Sequence, residues 1–204
     1  MKKYLVSAVL ASTLSFSALN AAEENNGAFV GLHLGGMIAG QMSNGVSLNS
    51  SVAVGLKGGY QAFFYDRIGA RFYLSGITSY GLMAIPAQQN ANATMTVNMN
   101  ILADLNADML FDFVSDDDFT SGMYLGFFGG ALIDTPVYFL PGTPRPDTKL
   151  STAVGLNIGL RTTVRAHHEF DFGGKAGLSW NITDKTSKNV GGLFYVGASY
   201  SYKF

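Results

Sequence analysis

Chemistry in this 204-residue chain would have to come from few side chains: 3 histidines, 14 acidic residues, 13 lysines and arginines, and no cysteine. His167 and His168 are adjacent, and a metal is the ligand such a pair would suggest. Neighbouring residues on a strand point to opposite faces, however, and neither a cysteine nor a nearby third histidine completes a ligand set. A polar turn is the better reading. Asp116, Asp117 and Asp118 suggest calcium, yet they lack the spaced oxygens of a calcium loop, so a solvated tight turn is expected there. His33 has no Ser or Asp that the sequence places beside it, Gly35-Gly36 is too sparse to cradle a phosphate, and Asn181-Ile182-Thr183 is a glycosylation acceptor in form only. The expectation is no catalytic residue, no metal and no cofactor.

Other charges matter more for where they fall. Lys57, Arg67, Arg71, Asp104, Asp108, Asp112, Arg161, Arg165, Glu169, Asp171, Lys175 and Lys203 occupy alternate positions opposite apolar residues, seven positive against five negative. An unpaired charge away from bulk water is costly, so near-balance on one face points to an enclosed network of ion pairs. Arg165 and Glu169 flank the Ala166–His168 turn symmetrically and are expected to face each other across it.

The elements that position these charges are strands. About eight segments alternate in steps of two, with turn-like residues between them. In the clearest, Met95, Val97, Met99, Ile101, Ala103, Leu105, Ala107, Met109, Phe111 and Phe113 alternate with Thr94, Thr96, Asn98, Asn100, Leu102, Asp104, Asn106, Asp108, Leu110 and Asp112; a helix would scatter those carboxylates around its axis. Segments near 51–65, 67–75, 153–165, 169–182 and 194–204 behave alike. Two others, Phe29 to Met37 and Met123 to Ile133, are so rich in glycine and apolar residues that both faces read the same. Short turns near Tyr65–Arg67, Ser115–Asp118 and Ala166–His168 alternate with longer loops at Gln41–Asn49, Ile85–Ala93, Asp134–Lys149 and Thr183–Asn189.

Several features separate a membrane barrel from a soluble sandwich. Apolar faces run for up to ten alternating positions without a charge, enough for the roughly 9–11 tilted residues that cross a bilayer. Phe64, Phe111, Phe113, Phe170, Phe172, Tyr202 and Phe204 fall at one set of strand ends, with Tyr80, Trp180 and Phe194 near the other, as interfacial girdles require. Charged residues make up only 13% of the chain, about half the usual share of a soluble domain. Lys2 and Lys3, the apolar run Tyr4 to Leu10 and a cut after Ala21 give residues 1–21 the layout of a signal peptide. Residues 22–204 are then one domain, an eight-stranded antiparallel up-and-down β-barrel in the outer membrane, with short turns in the periplasm and long loops outside. On this reading Leu105 faces lipid and Asn106 the interior, so arginine is costly at the first position and serine mild at the second. The formal charge of −1 and pI near 6.3 offer nucleic acid no basic surface.

The ending Tyr195-Val196-Gly197-Ala198-Ser199-Tyr200-Ser201-Tyr202-Lys203-Phe204 resembles the closing strand of bacterial outer-membrane barrels. That resemblance implies that Tyr200, Tyr202 and Phe204 form the signal read by the barrel assembly machinery. Asn26-Gly27-Ala28-Phe29-Val30-Gly31, following Glu23-Glu24, resembles the start of the Helicobacter outer-membrane protein family. This chain is shorter than that family's large adhesins and lacks their big extracellular domain, so adhesin activity does not carry over. Outer-membrane lipid and lipopolysaccharide are the expected surroundings, with a host or surface ligand as a further partner. Pro136, Pro141, Pro144 and Pro146 stiffen the loop that carries Tyr138, Phe139, Leu140 and Arg145. A loop folded over the barrel mouth is the simpler reading, and a preshaped contact surface is the functional one. The leading function is a structural or surface-contact barrel with a closed polar interior; the alternatives are a narrow pore and, less well supported, a lipid-modifying enzyme.

Overall fold

Alternation in steps of two becomes eight strands: β1 (Gly27–Gln41), β2 (Ser47–Tyr65), β3 (Ile68–Ile85), β4 (Thr94–Ser115), β5 (Phe119–Val137), β6 (Lys149–Val164), β7 (His168–Asn181) and β8 (Val190–Lys203). The structure, a computed structural model, describes residues 26–41, 47–85, 94–116, 118–137, 148–182 and 190–204. The signal-peptide segment 1–21 and the loop residues Tyr138, Phe139, Leu140 and Arg145 lie outside the described residues.

Each strand pairs antiparallel with its sequence neighbour, and β8 pairs with β1 to close the barrel. Closure leaves no sheet edge in lipid, where unsatisfied backbone groups are costly. Following directly paired residues once around leads from Gly27 through Gln61, Arg71, Asp108, Gly126, Asn157, Lys175 and Tyr195 to Met37, a displacement of ten residues along β1. Such a stagger accompanies a strand tilt of roughly 35–45°, and eight strands leave an interior that side chains just fill. The short turns lie at 66–67, 116–118 and 165–167, where the sequence places them. β-Bulges fall at Phe63/Tyr65 and Asp112/Val114, beside two of these turns.

The outer wall is apolar on every strand. Leu32, Val54, Phe72, Leu105, Phe127, Leu160, Phe172 and Val196 all point away from the barrel and are exposed, Leu105 at 66%. A soluble protein does not expose an apolar surface of this extent; lipid is its natural solvent. The register also resolves the two ambiguous segments. β1 turns Phe29, His33 and Met37 inward, and β5 turns Tyr124, Phe128 and Leu132 inward. Both strands extend beyond the residues whose alternation is legible.

Candidate functional site

The described residues bury ten charged side chains in the lumen, Lys57, Arg71, Arg161, Lys175 and Lys203 against Asp104, Asp108, Asp112, Glu169 and Asp171, five of each sign. Alternation delivers them: on β4 the inward positions are two apart, so Asp104, Asn106, Asp108, Leu110 and Asp112 rise as one column down the lumen. β7 supplies Glu169, Asp171 and Lys175 on the facing wall.

Arg71 is the hub. Its Nη1 donates to Glu169 Oε1 at 2.7 Å and Asp171 Oδ2 at 3.1 Å, while Nη2 donates to Asp108 Oδ2 at 3.0 Å. Lys57 Nζ meets Asp171 at 2.5 Å, Lys175 Nζ meets Asp104 at 2.7 Å, and Arg161 stands 3.5 Å from Glu169 and 3.8 Å from Asp112. Asn157 and Asn106 link these pairs: the Asn157 amide donates to Asn106 Oδ1 and to Asp108 Oδ1, both at 2.9 Å, and Asn106 Oδ1 also accepts from Lys175 at 2.5 Å. Ser75 hydrogen-bonds to Asp104. Aromatic rings face the cations, with Tyr124 4.8 Å from the Arg71 guanidinium, Phe63 5.1 Å from that of Arg161 and Phe128 5.0 Å from Lys175 Nζ. Water exclusion makes each of these contacts stronger than it would be at a surface.

Arg165 and Arg67 are exposed residues of the β6–β7 and β2–β3 turns, not lumen charges. Arg165 has a φ of 50° and does not face Glu169, whose partner across the hairpin is Thr163; the inward alternation ends where the strand does. Removing both arginines turns seven against five into an even balance. Asn106, read as a tolerant lumen position, is a junction of the network. The interior is also not polar throughout. Toward the long-loop ends, Met37, Ala53, Ile77, Leu102, Phe128, Leu132, Ala153, Leu193 and Tyr195 pack into a continuous apolar cluster, and toward the short turns Phe63, Leu110 and Tyr124 form another. The ion pairs are interleaved with these clusters: Asp112, paired with Arg161, lies two residues beyond Leu110 toward the 116–118 turn. A cavity of about 20 Å³ is lined by residues that include His33, Lys57, Arg71, Tyr124, Asp171 and Tyr195, room for about one water molecule.

His33 lies in this lumen, edge-on to Tyr195 at 5.9 Å. His167 and His168 sit at the short-turn end, against Tyr200 and Tyr202 on the outer side of the barrel. No group of three His, Cys, Asp or Glu side chains among the described residues could hold a metal.

The sequence matches the family described as Helicobacter outer membrane protein over residues 55–204, about three quarters of the chain. The chain belongs to that family. It is therefore an outer-membrane β-barrel of a Gram-negative bacterium. The solved structure of Neisserial surface protein A is similar in fold, with a TM-score of 0.59 and 17% identity over 87% of this chain and 97% of that one. The attachment invasion locus protein Ail of Yersinia pestis aligns with a TM-score of 0.39 and 14% identity over 87% of this chain and 99% of that one; another Ail structure holds the heparin analogue sucrose octasulfate. No curated protein matches the chain in sequence.

Proposed function

We propose that this protein is a closed structural barrel whose working surface is its extracellular end, and that it conducts no ions. The observation that carries this reading is the lumen: a buried charge network of five against five, interleaved with packed apolar clusters. A conducting path would have to break both the ion pairs and the packing of Met37, Ile77, Leu102 and Leu193.

Strand length supports an outward role. β7 and β8 have 14 residues each, whereas β3, β4 and β5 have 18, 22 and 19. β4 is about twice as long as a tilted strand needs in order to cross the hydrocarbon layer. Pairs such as Ile85↔Thr94 and Val97↔Val137 continue the sheet past the shorter strands, so the wall on this side stands tall. It leads into the segment with Tyr138, Phe139, Leu140 and Arg145, the candidate contact loop toward a host or surface ligand. Export of residues 1–21 as a cleaved signal, recognition of Tyr200, Tyr202 and Phe204 by the barrel assembly machinery, and lipopolysaccharide around the outer wall belong to the same proposal.

Two measurements test it. Refolded protein in planar bilayers should give no discrete conductance steps; reproducible steps would favour the narrow pore instead. Cells carrying a barrel with residues 138–147 replaced by a short Gly/Ser linker should lose binding to host-cell surfaces that the intact protein supports, while heat-modifiable protein in the outer membrane is unchanged. Equal binding by both would remove the contact loop from the reading.

A further inference from the structure

The outer wall is not evenly ridged. Where β6, β7, β8, β1 and β2 lie side by side, a groove of about 480 Å³ runs across the strands. One bank is the paired row Gly174, Val196 and Gly36; the other, two residues nearer the long loops, is the row Ala176, Phe194 and Ile38. The floor is the main chain of Lys175, Tyr195 and Met37, whose side chains are buried in the lumen. Small residues open the groove at Gly174, Ala176 and Gly36. A Cβ added at Gly36 would meet only Ser51 O within 4 Å, at 3.7 Å, so the space above that residue is clear.

Closure of the barrel sets the slope of this groove. A row of directly paired residues gains ten residues along β1 in one circuit, so the groove climbs toward the long loops as it passes from β6 to β2. Four inter-strand steps of about 4.8 Å make it roughly 19 Å long. Its lower end is apolar, at Ile158, and its upper end is Ser50, an exposed hydroxyl near the long-loop end of β2. Trp180, four residues above Ala176 on β7, marks the interfacial depth on that side. An amphiphile laid in the groove thus has its polar end at the interface and its tail in the hydrocarbon layer.

We propose that the groove holds one acyl chain of a membrane lipid, with the carbonyl at the head of the chain beside Ser50. Family membership places this wall in an outer membrane, where acyl chains are its solvent. A second copy of the barrel fits less well. Sheets pack about 10 Å apart face to face, so a facing strand would rest on Phe194 and Ile38 and leave the floor uncovered. A flexible chain follows the floor between the two rows, and contact on three sides gives it dispersion energy that a flat wall does not. The lipid is gripped by its chain, and its headgroup is left free.

The test uses residues 22–204 refolded in detergent, with folding checked by heat-modifiable mobility, and native mass spectrometry with dimyristoyl phosphatidylglycerol, its single-chain lyso form, or a phosphate-free galactolipid carrying the same chains. The wild type should retain one copy of each to a similar extent. Gly36→Leu and Ala176→Leu fill the groove from different strands, so each should lose that copy, and one remains informative should the other fail to fold. Gly76→Leu puts the same side chain outward on β3, where a Cβ meets nothing within 4 Å, and should keep the lipid. Unchanged retention in both groove variants, or an equal loss with Gly76→Leu, would overturn the site. Retention of phosphatidylglycerol alone would overturn it in favour of a headgroup site, and a lipid-free dimer that the groove variants dissociate would overturn it in favour of a second copy.

Discussion

Arg71 spans the lumen from β3 to carboxylates on β4 and β7, and its removal would leave Asp108 without a cation and take one of two cations from each of Glu169 and Asp171. Arg71→Met is therefore expected to destabilise the barrel by about 3–5 kcal/mol, the usual cost of breaking a buried ion pair from one side. Urea titration in lipid vesicles, read from the single tryptophan, Trp180, would measure it; a change below about 1 kcal/mol would mean that Lys57 and Arg161 compensate. The neighbouring wall gives a sharper contrast. Leu105 faces lipid and Asn106 joins Lys175 to Asn157, so Leu105→Arg should cost about 2–4 kcal/mol near the midplane. Asn106→Ser should cost about 1–3 kcal/mol, because it leaves buried donors unsatisfied; no loss in the same titration would refute that role. Most lumen charges were legible in the sequence, since a strand that alternates reveals its parity. Arg67 and Arg165 were misplaced because parity carries no information beyond the last paired residue. The apolar layer was invisible for a related reason: Leu102 is flanked by polar residues in its alternation, Met37 ends a segment whose two faces read the same, Ile77 and Leu193 fall outside the alternating segments, and only closure of the barrel brings them together.

At the scale of the strand, glycine marks where side chains need room. Tyr124 lies inward from β5 across β6 and β7, and a Cβ added at Gly159 would meet its hydroxyl at 2.5 Å and its ring at 2.6 Å. A Cβ on Gly76, which faces outward from β3, would meet nothing within 4 Å. Gly159→Val should therefore abolish most of the heat-modifiable form on refolding, and Gly76→Ala should leave its yield unchanged or slightly higher, since alanine lowers the entropy of the unfolded chain. Equal yields would show that Tyr124 can swing aside. The same glycines explain what the sequence concealed. β5 alternates Gly122, Gly126 and Gly130 with Tyr124 and Phe128 on one face, and sets Met123, Leu125 and Phe127 on the other. Both faces are apolar or small, so composition could identify the strand but not its inside. Pairing to β4, where the carboxylates are unambiguous, assigns it: Asp108 lies opposite Gly126 and Asp104 opposite Gly130.

For the molecule as a whole, closure is the event on which everything else depends, because the charge network joins strands far apart in sequence. Lys57 and Asp171, Arg71 and Glu169, and Lys175 and Asp104 meet only when β8 has paired with β1. Before that, these three pairs are unmade and the edges of β1 and β8 are open, at several kcal/mol for each unsatisfied backbone group in hydrocarbon. The last contacts of the seam belong to the chain end. Phe204 N donates to the Ala28 carbonyl at 2.9 Å, Lys203 N donates to the His167 carbonyl at 2.8 Å, and the Phe204 ring is 69% exposed against Tyr202 at the periplasmic rim. Deleting Phe204 removes one backbone bond of the seam and the aromatic anchor beside it. A single surface hydrogen bond is worth only about 1 kcal/mol, too little by itself to unfold a barrel of eight strands. The loss should therefore fall on assembly. Outer-membrane fractions should contain much less heat-modifiable protein, with the remainder degraded in the periplasm and export unaffected, while the same truncated chain refolds in detergent with nearly wild-type stability. If truncation lowered stability in detergent as severely as it lowered assembly in cells, Phe204 would be part of the barrel's own fastening; normal accumulation in the outer membrane would remove the assembly signal from this C-terminus altogether.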